Sequence, residues 1–251
     1  MKISSFKLAA AVSCAALLIA SPCFSQSLPR LGVGAKFSTL GIGIEAATAV
    51  TTQTNVRGGF NFMSTDREFS KNGIDYSAQL RYRSVEAHFD WFFGKQFHLS
   101  PGLVVYNGNR VTGLASVPGG QSFTLGNQTY FSSLADPVTG NATFEFNKRN
   151  VSPMITTGWG NLVTRGEGRF SFNIEGGLIF GNSPNATLNL SGNTCVTPSG
   201  PCQNIATNPL VQDDIRAEEA KFNTGAAPYN QISSVLKFYP VVSIGIGYRI
   251  K

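Results

Sequence analysis

Two histidines, His88 and His98, bound the acid–base chemistry open to this chain. A hydrolase or acyltransferase needs a nucleophile, usually Ser, activated by a His that a carboxylate orients. Ser100 follows His98 by two positions, a spacing that on a strand merely places both side chains on one face. His88 stands between Glu86 and Asp90, two carboxylates better explained as partners of arginines. The residues therefore speak against an enzyme, and a lipid-modifying activity is the least favoured reading. No metal centre is expected, because neither histidine lies near Cys195 and Cys202 in sequence and no second cysteine pair accompanies them. No Gly-rich phosphate loop ending in Lys is present, and no cofactor is expected.

The elements that position these residues begin after an export signal. Lys2 and Lys7 precede an apolar run from Leu8 to Ala20, and Ser25 gives a small residue before Gln26. Residues 1–25 read as a cleaved secretory signal peptide, leaving 26–251 as one domain. The apolar run is too short to cross a bilayer as a helix, and Pro22 beside Cys23 argues against lipidation. In an exported chain Cys195 and Cys202 read as a disulfide closing a short loop. Only 14% of residues are charged, while glycines number 27 and aromatics make up 11%. That balance suits sheets with one apolar face, one polar face and many turns, where soluble domains carry about a quarter charged residues. The formal charge of +6 is scattered and loses Lys2 and Lys7 with the leader, so no nucleic-acid partner is expected.

Period-two alternation carries the fold. Phe170, Phe172, Ile174, Leu178 and Phe180 share one face of a strand, with Ser171, Asn173 and Glu175 on the other. Val242, Ile244, Ile246, Tyr248 and Ile250 alternate with Ser243, Gly245, Gly247 and Arg249. The stretch 74–93 alternates as well, with a change of phase at Arg83-Ser84 that reads as a β-bulge. Its polar side would then hold Asp75, Arg81, Glu86, His88 and Asp90, too many ionisable groups to face lipid.

Turn signals give short connections at 51–54, 94–96 and 161–168 and long ones near 111–144 and 192–235. Eight spans follow, at about 32–38, 40–50, 55–65, 74–93, 97–110, 147–160, 168–190 and 237–250, with 32–50 open to a second reading as one bent strand. The expected fold is all-β: an up-and-down antiparallel transmembrane β-barrel of eight strands, with short turns at one end and long loops at the other. Segments 122–131 and 141–147 are β-prone and would extend a hairpin beyond the membrane. Leu210, Val211, Ile215, Ala220 and Phe222 suit one face of a short helix between Pro209 and Gly225, packed on a barrel end; a loop or partner-binding element is the alternative.

Several stretches resemble a known group: Leu40-Gly-Ile-Gly-Ile-Glu45, Phe97-His-Leu-Ser-Pro-Gly-Leu103, Tyr106-Asn-Gly-Asn109, Gly158-Trp-Gly-Asn161, Gly176-Gly-Leu-Ile-Phe-Gly181 and the run Tyr239 to Arg249. Together they are similar to uncharacterised small outer-membrane β-barrel proteins of proteobacteria and acidobacteria, with the architecture of the membrane domain of outer-membrane protein A. The resemblance implies a fold and a place in the bacterial outer membrane, and no chemistry. Barrels of that kind end in an aromatic residue read by the assembly machinery, whereas this chain ends Ile250-Lys251.

An eight-stranded barrel has an interior just wide enough for side chains. Lys36, Glu45, Arg57, Asp75, Arg81, Glu86, His88, Asp90, Glu175 and Arg249 are expected to fill it as a paired charge network, since unpaired buried charges cost several kcal/mol each. The primary expectation is a monomeric structural or loop-presenting barrel with a largely plugged polar lumen. Its partners would be outer-membrane lipids, lipopolysaccharide and the barrel assembly machinery. The alternative is a narrow pore or a channel for small hydrophobic ligands.

Overall fold

The computed structural model describes residues 30–147, 151–181, 184–198 and 200–250; the expected leader lies outside them. Fifteen strands follow in chain order: β1 (Leu31–Ser38), β2 (Gly41–Ala49), β3 (Thr54–Lys71), β4 (Ile74–Phe93), β5 (Phe97–Asn107), β6 (Arg110–Val117), β7 (Ser122–Leu125), β8 (Gln128–Ser132), β9 (Val138–Glu145), β10 (Ser152–Trp159), β11 (Phe170–Phe180), β12 (Asn185–Ser191), β13 (Asn193–Cys195), β14 (Cys202–Asn204) and β15 (Phe238–Arg249). Two helices, α1 (Pro209–Thr224) and α2 (Asn230–Lys237), precede the last strand.

Eight of these strands close a ring. β1 to β5 pair in sequence, β5 pairs with β10, β10 with β11, β11 with β15 and β15 with β1, all antiparallel. Closure removes the unpaired edge an open sheet would leave. Residues 32–50 form a hairpin, not a bent strand: the chain reverses at Thr39-Leu40, where Gly41 sits at φ +105° and a side chain would meet the Phe62 carbonyl.

The outer face of the ring is apolar between two aromatic girdles. Phe93, Phe97, Trp159, Phe170 and Tyr248 mark the lower end, where the first and last strands begin and finish, and Phe62, Tyr106, Phe180 and Phe238 mark the upper. Phe170 and Phe180, like Phe238 and Tyr248, lie ten residues apart on one strand. Ten residues of a strand tilted about 40° rise about 25 Å, the height of the apolar band of a transmembrane barrel.

Above the ring β3 and β4 continue as a long hairpin and carry three more strands, in the order β4-β6-β9-β12. A small sheet, β14-β13-β8-β7, and α1 fold against this extension around a second core of Ile74, Val117, Leu125, Tyr130, Val138, Ile205, Val211 and Ile215. Segments 122–131 and 141–147 thus do more than lengthen a hairpin. The α1 helix occurs where its sequence signals place it: Asn208 caps its start through bonds from Leu210 N and Val211 N, and Gly225 ends it at φ +69°. Its Glu219 and Asn223 side chains accept from Leu188 N and Ala186 N, satisfying the exposed edge of β12. Cys195 and Cys202 are joined in a disulfide that ties β13 to β14.

Candidate functional site

The inward rows of five ring strands bring seven of the ten sequence-predicted charges together: Lys36, Glu45, Arg57, Glu86, His88, Asp90 and Glu175, all buried. Arg57 is the hub. Its Nε and Nη2 donate to Asp90 at 3.0 to 3.3 Å, Nη1 donates to Glu45 Oε2 at 3.0 Å, and Nη2 lies 2.7 Å from Glu175 Oε1. Lys36 Nζ bonds Glu86 and lies 3.5 Å from Glu45. The chain of pairs thus runs from Glu86 through Lys36, Glu45 and Arg57 to Asp90 and Glu175, with five of the eight ring strands contributing.

Two cations face four carboxylates here, and an imidazole stands beside each end of the chain of pairs. His98 Nε2 is 3.0 Å from Glu175 and His88 Nε2 is 3.5 Å from Glu86. Around them are further inward polar residues, among them Ser100, which the sequence offers only as a possible nucleophile beside His98. Ser100 donates to Asp90 at 2.7 Å, Asn61 to Ser84 at 3.1 Å, and Asn55 to Asn161 at 2.9 Å. Glycines leave room for the long side chains: a Cβ on Gly43 would fall 2.9 Å from Lys36 Cγ, and one on Gly59 the same distance from Glu86 Oε1.

The other three predicted residues lie elsewhere, for two reasons. Pairing of β3 with β4 is unbroken from Thr54–Trp91 to Lys71–Ile74, so β4 has no bulge; the irregularity is in β5, where Val105 is left between Val104 and Tyr106. Asp75 and Arg81 therefore point outward, opposite to Glu86, His88 and Asp90. The phase change at Arg83-Ser84 records a change of surroundings. Below it the outer face is apolar; above it the inner face is, because the small sheet and α1 cover it. Arg249 does belong to an inward row, but at the lower end, where its Nη1 donates to the Thr164 and Gly166 carbonyls and pins the 160–169 turn.

That turn also enters the ring. Leu162 and Val163 pack with Ala47 inside the lower end, and Asn161 accepts from both Asn55 and Val163 N. Arg165 lies over the Phe92 ring at 4.9 Å. At the upper end Leu40, Val104, Met154, Ile179 and Val241 form a buried cluster across the lumen, with Tyr239 packed on it. Charged residues thus occupy a middle layer between two apolar ones.

Chemically this is a network of ion pairs more than a reacting one. Ser100 gives its proton to Asp90 while His98 bonds Glu175, so the hydroxyl and the imidazole are engaged apart. Among the described residues no group of three or more His, Cys, Asp or Glu side chains is placed to hold a metal ion.

Two solved structures share this fold. The crystal structure of Acinetobacter baumannii CarO aligns over 90% of this chain and all of its own, at 17% identity and a TM-score of 0.52. That of A. baumannii CarO2 aligns over 89% of this chain and all of its own, at 14% identity and the same TM-score. No protein-family model and no curated protein matches the sequence. At these identities the likeness establishes the fold: an all-β, up-and-down antiparallel transmembrane barrel of eight strands, with a helix in a long connection.

Proposed function

We propose that this chain is an integral outer-membrane barrel, exported through residues 1–25, whose lumen is closed by its own side chains and whose role is structural or loop-presenting. The observation that carries this reading is the three-layered lumen, with ion pairs around Arg57 between the Leu162–Val163 turn below and the Leu40–Val241 cluster above. A conducting path would need a continuous polar lining, and each apolar layer interrupts it. The rigid face presented to the exterior is the extension above the ring, whose second core keeps the long connections packed.

Single-channel recording in planar bilayers tests this. The closed barrel gives no steady current at either polarity, with insertion verified by heat-modifiable migration on a gel. Discrete, ion-selective steps from the inserted protein overturn the closed lumen and favour a narrow pore.

A further inference from the structure

Three arginines have no role in the barrel so far described. Arg81 and Arg83 lie on the outward row of β4, and Arg110 opens β6. Arg81 and Arg110 are direct partners across the β4–β6 pair, and Arg83 is two residues below on the same face. Like charges directly opposite on paired strands repel. The nearest carboxylates in register on that face are Glu145, opposite Arg110, and Asp66, opposite Gln79. Neither pairs with an arginine: Glu145 accepts from Asn185, and none of the three guanidinium groups makes an ion pair or hydrogen bond with a described residue.

Their height is informative. Arg83 is ten residues above Phe93 of the lower girdle, about 25 Å along the axis, and beside Phe62 of the upper one. Below them the outer wall is apolar, with Phe60, Val85 and Phe89. Above them the same wall becomes a concavity of about 850 Å³ lined by Ser77, Ser116, Asn141 and Asn189 together with Leu114 and the carboxylates of Glu68 and Asp75. From bottom to top the wall therefore offers acyl-chain contacts, then cations without a protein partner among the described residues, then hydroxyl, amide and carboxylate groups that suit sugar hydroxyls and would turn a phosphate back toward the arginines. A phosphorylated glycolipid has the same order: acyl chains, phosphates, sugars.

We infer that Arg81, Arg83 and Arg110 form a binding site for the phosphates of lipopolysaccharide in the surrounding leaflet, with the concave face above receiving its sugars. A phosphate between Arg81 and Arg110 would turn their repulsion into two charge-assisted bonds, which suit guanidinium geometry. The site rests on the membrane reading above, and its test separates the two.

The test uses the mature chain refolded in detergent and titrated with bis-phosphorylated lipid A, with bound lipid counted by native mass spectrometry. Binding should weaken about fivefold for each arginine replaced and on the order of a hundredfold in R81A/R83A/R110A. Lipid A stripped of its phosphates should bind the native chain as weakly as the triple variant binds the intact lipid. R67A removes a cation from the opposite face of β3 and should leave binding unchanged. Should the triple variant not fold, R83A carries the comparison, at an exposed position. Equal binding by the variant, equal binding of the dephosphorylated lipid, or displacement by millimolar inorganic phosphate overturns the lipid assignment. A chain that neither shows heat-modifiable migration nor enters lipid overturns the membrane reading and the site with it.

Discussion

Replacing Arg57 by methionine keeps most of the side-chain volume and removes the charge that holds Glu45, Asp90 and Glu175. Breaking a buried pair from one side costs about 3–5 kcal/mol, because the partner's charge stays buried without compensation. Each carboxylate here keeps one other donor: Lys36 at 3.5 Å from Glu45, Ser100 at 2.7 Å from Asp90 and His98 at 3.0 Å from Glu175. The loss should therefore sit near the lower bound, about 3 kcal/mol, or a factor of roughly 100 in the folding equilibrium. The assay is equilibrium urea unfolding of the chain in phosphatidylcholine vesicles, followed by tryptophan fluorescence. Adding Asp90→Asn and Glu175→Gln to Arg57→Met should recover at least half of the loss, since fewer buried charges then lack a partner. Arg110→Met, the same change on the outer wall, should cost less than about 0.5 kcal/mol. An Arg57→Met barrel as stable as the native one would refute the hub, as would a triple variant no better than the single.

Two further predictions concern the extension above the ring. The Tyr130 hydroxyl donates to Asp214 Oδ2 at 2.6 Å, and burial together with that carboxylate pushes the phenol up to about 12. A phenol with a raised folded value stabilises below its unfolded value of about 10 and loses that contribution as pH rises toward 12; hydrogen exchange should show α1 loosening from the small sheet in that window, and ultraviolet titration of Asp214→Asn should show Tyr130 ionising earlier. Replacing Cys195 and Cys202 by serine opens a short loop and should cost about 2.5 kcal/mol locally; exchange should rise over 193–204 while the ring strands keep their protection.

How much of this was legible in the sequence varies with what each residue faces. The ring strands were readable because lipid-type and lumen-type surroundings alternate along them, so Phe170 to Phe180 and Val242 to Arg249 declare both faces. The pairings of β6, β9 and β12 join residues 110–117, 138–145 and 185–191, and no local pattern announces contacts that distant. The expected span 168–190 is therefore too long: it takes in β11 of the ring and most of β12 of the extension. Alternation also reports that two environments differ without saying which is which. In 74–93 the apolar side changes from outer to inner as β4 leaves the ring, and from sequence alone that is indistinguishable from a slipped residue. For that reason the alternation places Asp75 and Arg81 inward, whereas the unbroken β3–β4 register turns them outward. Asn55 and Asn161 carry no lumen signal because small polar residues are as common in turns as in a lumen, and Ser100 stands out in the sequence only as a possible nucleophile beside His98. The one available signal for the lower layer was the adjacent apolar pair Leu162-Val163 inside an otherwise polar turn.

Both tryptophans of the protein, Trp91 and Trp159, stand on the outer wall at 49% and 55% exposure, near the lower girdle. Their fluorescence in vesicles of brominated phosphatidylcholine is the most direct measure of whether that wall meets lipid. Lipid-facing tryptophans give blue-shifted emission, strong quenching by bromines placed near the headgroups, weaker quenching by bromines near the bilayer centre, and little quenching by aqueous iodide. Emission near that of free tryptophan, quenched by iodide and indifferent to bromine at any depth, would put the apolar wall in water and contradict the transmembrane barrel.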